Sequence, residues 1–485
     1  MCDEAWPTCG RCRATGKKCS GPLKPLKFIV NGNHKRGASD DSESSIALMQ
    51  FSHSSELIRV RHHAVENGAA YSRLKMLPRS NTRLASPPST PAERLSSRLI
   101  SCIESSSDTE YDIGVVLLNL PELPQLVATQ NVALCNAVHL YLSAWTKVRQ
   151  GHTQKEALNL SQYNKAIRSL RRMISHPEHH SESQTLVAAV VLTKFEVTFE
   201  ASEGAEQLPH VQGVYGLLEQ GGPPKLDDEM HINLAFQTLA FSFRWFIDEG
   251  IDPFFTQPEW LSAMEHFVNT TKLLPPISKA VYRLWLDLVQ VPGIIRKTRK
   301  LARTTDGYRA ATAIDILQSL QCISESLDNK AHHVFESLFL QDKVCEVADA
   351  QSPLGSSYQF KEKGFFTAGF INLYAMVRIM VLRIRQYALE LVDEYDAALE
   401  GQCLEWSRVI WRCIPFGITQ KALLASKYLG GTVFSFEAGG PLEREYVLQG
   451  LAEMNNAKKK PSLKLHEKAI LNAAQVLLGR EAPTW

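Results

Sequence analysis

The residues best suited to do chemistry are four cysteines at the start of the chain. Cys2, Cys9, Cys12 and Cys19 are separated by six, two and six residues in the string CDEAWPTCGRCRATGKKC. A two-residue gap lets Cys9 and Cys12 direct both thiolates at one metal at the start of a helical turn. Soft thiolates favour zinc or an iron-sulfur centre over hard cations. Arg11, Arg13, Lys17 and Lys18 lie among them, where their charge offsets that of the thiolates and suits contact with phosphates. Four thiols within nineteen residues that carry few core-forming side chains form a cluster unlike buried cysteines. The other six, Cys102, Cys135, Cys322, Cys345, Cys403 and Cys413, are scattered through apolar, helix-like sequence and are expected to be reduced core residues.

Other groupings carry less. His176, His179 and His180 surround Pro177 in a polar stretch and read as a solvated loop. Gly430, Gly431, Gly439, Gly440 and Pro441 read as loop punctuation, since no lysine-serine or lysine-threonine step comes after them as a phosphate loop requires. Asp227 and Asp228 read as solvated acids in a polar connection. Trp145, Trp245, Trp260, Trp285, Trp406 and Trp411 read as helix-packing residues, among which one pocket could admit a small effector. Lys458, Lys459, Lys460 and Lys464 form a charge run that suits either a solvated face or a nuclear import signal. With no HExxH, no GxSxG and no other catalytic constellation, the chain is not expected to be an enzyme.

Three zones must position these residues. Residues 1–37 are basic, with Lys24, Lys27, Lys35 and Arg36 adding to the cations already named and only Asp3 and Glu4 opposing them; the formal charge of the whole chain, +2, conceals this patch. Residues 38–92 run from the acidic Ser39, Asp40, Asp41, Ser42, Glu43 to Ser86, Pro87, Pro88, Ser89, Thr90, Pro91, a composition that buries too little apolar surface to offset chain entropy and reads as a flexible linker. Residues 93–485 are helical in pattern. Tyr163, Ile167, Leu170 and Ile174 share one face of a helix over 161–174, with Ser161 as its cap, and 183–199 is apolar nearly all round, as at the centre of a bundle. Helices are further expected over 231–247, 279–295, 310–327, 365–395 and 404–429, with strand patterns scarce. The fold class is therefore all-α, and 44% hydrophobic residues over 485 support a sizeable core. No unbroken apolar run of the roughly 18–20 residues needed to span a membrane is evident, and the N-terminus lacks the apolar stretch of a secretory signal. The expectation is a soluble, intracellular protein with no membrane partner.

The cysteine string resembles the second half of the fungal binuclear zinc cluster, in which six cysteines hold two zinc ions in two helical arms joined by a proline-containing loop. Asp3, Glu4 and Pro7 occupy places where that loop is acidic and carries its proline. Lys17 and Lys18 match the basic run into the last cysteine, and Gly21 to Phe28 resembles the stretch that many members carry after that cysteine. The resemblance gives Cys2, Cys9, Cys12 and Cys19 the roles of the third to sixth cysteines, with zinc as cofactor. A less specific likeness covers Leu120 to Pro223, which resembles the fungus-specific transcription factor domain through Tyr163 to Leu170, the apolar helix to Glu196, and His210, Gly213, Leu217, Leu218, Gly222 and Pro223. There the expectation is two core helices, a turn and a short helix ended by glycine.

The resemblance implies a nuclear, zinc-dependent, DNA-binding regulator of RNA polymerase II transcription, serving a fungal gene set or pathway. It also implies promoter DNA and transcription co-regulators as partners. The family's first two cysteines and its base-reading arm would lie before Met1, and the expectation is a translated start placed downstream of the true one. Arg11, Arg13, Lys17 and Lys18 would then contact phosphates, which positions a protein on DNA without reading sequence. In the complete cluster Cys9 bridges two metals. Within this string a single zinc held by all four thiolates is a rearranged site. The alternative is a helical effector-binding or protein-interaction regulator that does not itself bind DNA specifically. Residues 20–92 show no sustained heptad repeat, so a homodimer and a monomer are both open.

Overall fold

Apolar residues recur at helical spacing through most of the chain after residue 90, and the chain coils accordingly. The computed structural model describes residues 90–105, 122–176, 183–199, 208–272, 274–304, 309–361, 364–420, 422–456 and 466–480. The expected zinc-cluster remnant and nearly all of the expected linker lie outside the described residues.

In chain order come α1 (Pro91–Ser105), α2 (Leu123–Ala128), α3 (Val132–Arg149), a single turn Gln154–Ala157, α4 (Leu160–Ser175), α5 (Ser183–Phe199) and α6 (Leu208–Gly221). Next come α7 (Glu229–Glu249), α8 (Pro258–Thr270), α9 (Pro276–Leu288), α10 (Val291–Arg303), α11 (Arg309–Leu327) and α12 (His333–Leu340). A hairpin of β1 (Val344–Ala348) and β2 (Ser356–Phe360) precedes α13 (Gly364–Glu390), α14 (Ala397–Thr419), α15 (Ala422–Ser435), α16 (Pro441–Asn456) and α17 (Glu467–Leu477). The class is all-α.

Local chemistry explains the boundaries. Asn159, and not Ser161, caps α4, its side chain accepting from the Gln162 amide at 3.1 Å. Asp228 caps α7 by accepting from the His231 amide at 2.9 Å, so one of the two expected solvated acids has a structural task. Gly250 ends α7 and Gly222 comes directly after α6, both in the left-handed region where a side chain would be strained. The helix expected over 279–295 is two helices, because Pro292 removes an amide that a continuous helix would need and starts α10 at Val291. The stretch 404–429 is likewise divided, between α14 and α15. The hairpin was not expected from the scarce strand pattern; its antiparallel register pairs Val344 with Phe360 and Ala348 with Ser356.

Two apolar clusters hold the helices together. One is built mainly by α1–α8 around Tyr141, Val190, Phe195, Phe236 and Trp260; the other surrounds α13, with Phe370, Tyr374, Ile379 and Ile384. The six tryptophans of the sequence pattern all pack in or against these clusters. Helix α13 is long and apolar enough to cross a membrane, contrary to the expectation that no run approaches that length. However, 72% of its most apolar window is buried, where α9, α11, α14 and α15 pack on it, as befits a central core helix. The six scattered cysteines are free thiols, but only Cys403 and Cys413 are buried, Cys102, Cys135 and Cys345 are partly so, and Cys322 is exposed.

Gly430 and Gly431 are not loop residues either: both lie within α15. A methyl group on Gly431 would overlap the side-chain amide of Asn372 on α13, a residue that is itself buried. Gly431→Ala is therefore expected to destabilise the protein by about 1–3 kcal/mol, the usual cost of overpacking a close helix contact. Chemical denaturation reads this directly, and an unchanged midpoint would show that the two helices adjust without penalty.

Candidate functional site

Helix α5 is buried on nearly every side, yet it carries a carboxylate. Glu196 is 1% exposed, and the helices on either side of α5 in the chain each supply a partner for it. From α4, the Tyr163 hydroxyl donates to Glu196 Oε1 at 2.5 Å. From the first turn of α6, His210 Nε2 lies 3.3 Å from the same oxygen. Around them Phe195 packs against Tyr163 and Tyr141, which excludes water. The three residues come from the segment 120–223, where α4 and α5 are core helices and α6 is followed by Gly222 at a positive φ; the expected turn between α5 and α6 lies outside the described residues.

Burial sets the protonation of this cluster. Loss of water pushes Glu196 up to about 8, against which the Tyr163 hydrogen bond acts. Loss of water pushes His210 down to about 4, with the Arg171 charge acting in the same direction. Near neutrality the pair therefore holds one proton and no net charge. Glu196 Oε1 then accepts from the tyrosine hydroxyl with His210 Nε2 close by, while Oε2 finds no hydrogen-bond partner. This is a rigid polar joint between three helices, since a carboxyl group so enclosed is stable only where its partners hold position.

A second feature lies on the other side of α4. A cleft of about 450 Å³ opens between α1, the start of α3 and α4, lined by Leu95, Val132, Cys135, His139, Gln162 and Lys165 among others. Gln130, at a positive φ of 68°, turns the chain sharply between α2 and α3 at its edge. Desolvation by the walls, then the charges of Arg98 and Lys165, hold His139 below the ordinary histidine range. Its imidazole thus holds a proton less readily than a free histidine does.

The residues singled out by the sequence do not meet at either place. Cys2, Cys9, Cys12, Cys19, Arg11, Arg13, Lys17, Lys18, Lys458, Lys459, Lys460 and Lys464 lie outside the described residues, as do His179 and His180. His176 is exposed just after α4. Among the described residues no group of three or more His, Cys, Asp or Glu side chains stands close enough to hold a metal ion. Glu196 and His210 were legible only as marks within a helical pattern. The cleft left one signal in the sequence: α3 and α4 contain no acidic residue, although they carry Lys147, Arg149, Lys165, Arg168, Arg171 and Arg172.

No family model matches the chain, and no solved structure matches it. A curated protein of Emericella nidulans, itself described as uncharacterized, is similar to it, with 26% identity over 252 residues. The matched stretch is 49% of this chain and 50% of that protein, so the chain spans about half the length of the relative it matches.

Proposed function

We propose that this chain is a zinc-dependent transcription regulator of a fungal gene set, with an N-terminal metal segment that contacts DNA and a helical unit that regulates it. The observation that carries the reading is the string containing Cys2, Cys9, Cys12 and Cys19, with its two-residue gap and its interleaved Arg11, Arg13, Lys17 and Lys18. The donor set fits zinc: four thiolates are the soft, tetrahedral ligand complement of a structural site. Zinc there would order a segment that has too few apolar residues to order itself, and so hold the four cations in a fixed arrangement toward phosphates. The helical unit, with a cleft and a buried polar joint among its first helices, supports the regulatory half of the reading.

Zinc content tests the metal half. The purified, reduced chain is expected to retain about one zinc per molecule and to lose it when Cys9→Ser and Cys12→Ser are combined. A wild-type chain that carries no zinc sinks the reading. The DNA half is tested by salt dependence. With four phosphate contacts, the logarithm of the affinity for duplex DNA should fall with the logarithm of salt concentration at a slope of about −3 to −4. Replacing Arg11, Arg13, Lys17 and Lys18 with glutamine should flatten that slope, and an unaltered slope would assign DNA contact elsewhere. A second reading, a helical effector-sensing regulator that does not itself bind DNA specifically, is supported by the cleft beside α4.

A further inference from the structure

We infer that the cleft between α1, α3 and α4 is a binding site for a small organic acid, a carboxylate on an apolar body. This deepens the regulatory reading of the helical unit by naming a ligand class for it, and rests on that reading only for the consequence of binding. The zinc and DNA assays report on a different part of the chain, so the two can fail separately.

The walls state the chemistry. Leu95 is buried in the flank supplied by α1, and Val132, at the mouth, is 60% exposed, a large apolar side chain left facing solvent. An open volume of about 450 Å³ lies within the range of sites that enclose small ligands. Against this apolar flank stand Lys165 from α4 and His139 from α3, with Arg98 of α1 close enough to His139 to lower its affinity for a proton. Arg98 donates to the Thr146 hydroxyl at 3.2 Å. Such a cluster of cations normally faces acids from a neighbouring helix, but α3 and α4 carry none. The acids of α1, Glu93 and Glu104, do not line the cleft, and Glu93 accepts from the Thr90 amide at the start of that helix. Lys165 is thus the cation of the lining, and no acid lines the cleft with it; His139, held below the ordinary histidine range, shares the wall. Gln162 adds an amide oxygen, screened from solvent, that receives no hydrogen bond, an acceptor suited to a hydroxyl or N–H on the same ligand. An acid with an apolar body answers both the lysine and the apolar flank, and a hydroxyl or N–H on that body would answer Gln162. A neutral apolar ligand leaves the cations unanswered, and an inorganic anion leaves the apolar flank wet.

The test is calorimetric titration of the full chain with 4-phenylbutyrate and, separately, with 4-phenylbutan-1-ol, which keeps the apolar body and removes the charge. The expected result is saturable one-to-one binding of the acid and at least tenfold weaker binding of the alcohol. Lys165 is exposed, so Lys165→Gln should leave thermal stability unchanged while removing most of the preference for the acid. Cys135→Trp, which fills the cleft from α3, should abolish binding of both. Should that variant fail to fold, Lys165→Gln alone decides the matter. Absence of binding by the acid, equal binding of acid and alcohol, or an undiminished preference in Lys165→Gln overturns the inference. Occupation of the cleft by part of this chain would show itself as the first of these outcomes.

Discussion

Between pH 6.5 and 8 the wild-type protein should lose about 1 kcal/mol of folding stability through Glu196 and His210 alone. Proton counts give the sign. Above the ordinary histidine value of 6.5 the unfolded chain holds a proton on neither residue, while the folded chain keeps one on Glu196 until about 8. Raising the pH therefore favours the unfolded state. Between 4.5 and 6.5 the unfolded chain holds one proton on the histidine and the folded chain one on the glutamate, so the contribution is flat. Below 4.5 the unfolded chain binds two, and stability falls again. Glu196→Gln removes one side of this balance. The variant should be level through the neutral range and lose stability below 6.5, where His210 alone resists protonation. The stability difference between the two proteins should then change by about 3 kcal/mol from pH 5.5 to pH 8, in favour of the variant at high pH. Urea titrations at four or five pH values measure this difference free of other titrating groups, because these are common to both proteins. Parallel stability curves would mean that Glu196 ionises normally inside the fold.

Arg383→Ala is expected to cost about 3 kcal/mol. Arg383 lies on α13 and is 3% exposed. Its guanidinium pairs with Glu400 of α14, with Nη2 2.9 Å from Oε1, and donates to Gln386 at 2.8 Å. Its Nε lies 3.6 Å from Glu437, in the turn after α15. Glu437 is also 3.8 Å from Arg480, which reaches Glu390 at 3.2 Å and so returns the network to α13. Removing one member of a buried pair costs about 3–5 kcal/mol, mostly through the charge left behind. The low end applies here because Glu400 is 44% exposed and can turn to water. Glu400→Gln, which leaves the arginine with Glu437, should cost about 1 kcal/mol or less. A denaturation midpoint for Arg383→Ala within error of wild type would reduce this network to a surface ornament of the fold.

What could be read from the residues beforehand divides along physical lines. Helices 183–199 and 310–327 were legible almost to the residue, because hydrophobic spacing alone decides a helix that packs on its neighbours. The breaks at Val289–Gln290 and after Thr419 were not, because apolar periodicity runs on across both, although Pro292 marks the first. Gly430 and Gly431 look like a loop in isolation, and only the approach of Asn372 reveals why a helix keeps them. Glu196 is the clearest case. A single acid in an apolar helix carries no periodic signal, and its partners stand thirty-three residues before it and fourteen after. The cleft is a similar case, since its cations are ordinary surface residues until three helices bring them together. The cysteine string is the reverse: the proposal of a metal there rests entirely on local spacing, and no tertiary contact enters it.

The burial of α13 also has a consequence for how the protein is made. Synthesis runs from the N-terminus, so α9 and α11 already exist when α13 leaves the ribosome, but α14 and α15 do not. The newborn chain thus presents a long apolar helix without the faces that α14 and α15 cover for the time needed to add some forty-five further residues, from Glu390 to Ser435. A chain halted at Glu390 should be captured by chaperones or aggregate, whereas one extended beyond Ser435 should escape, which makes the interval between those two residues the period of greatest hazard in the life of this molecule.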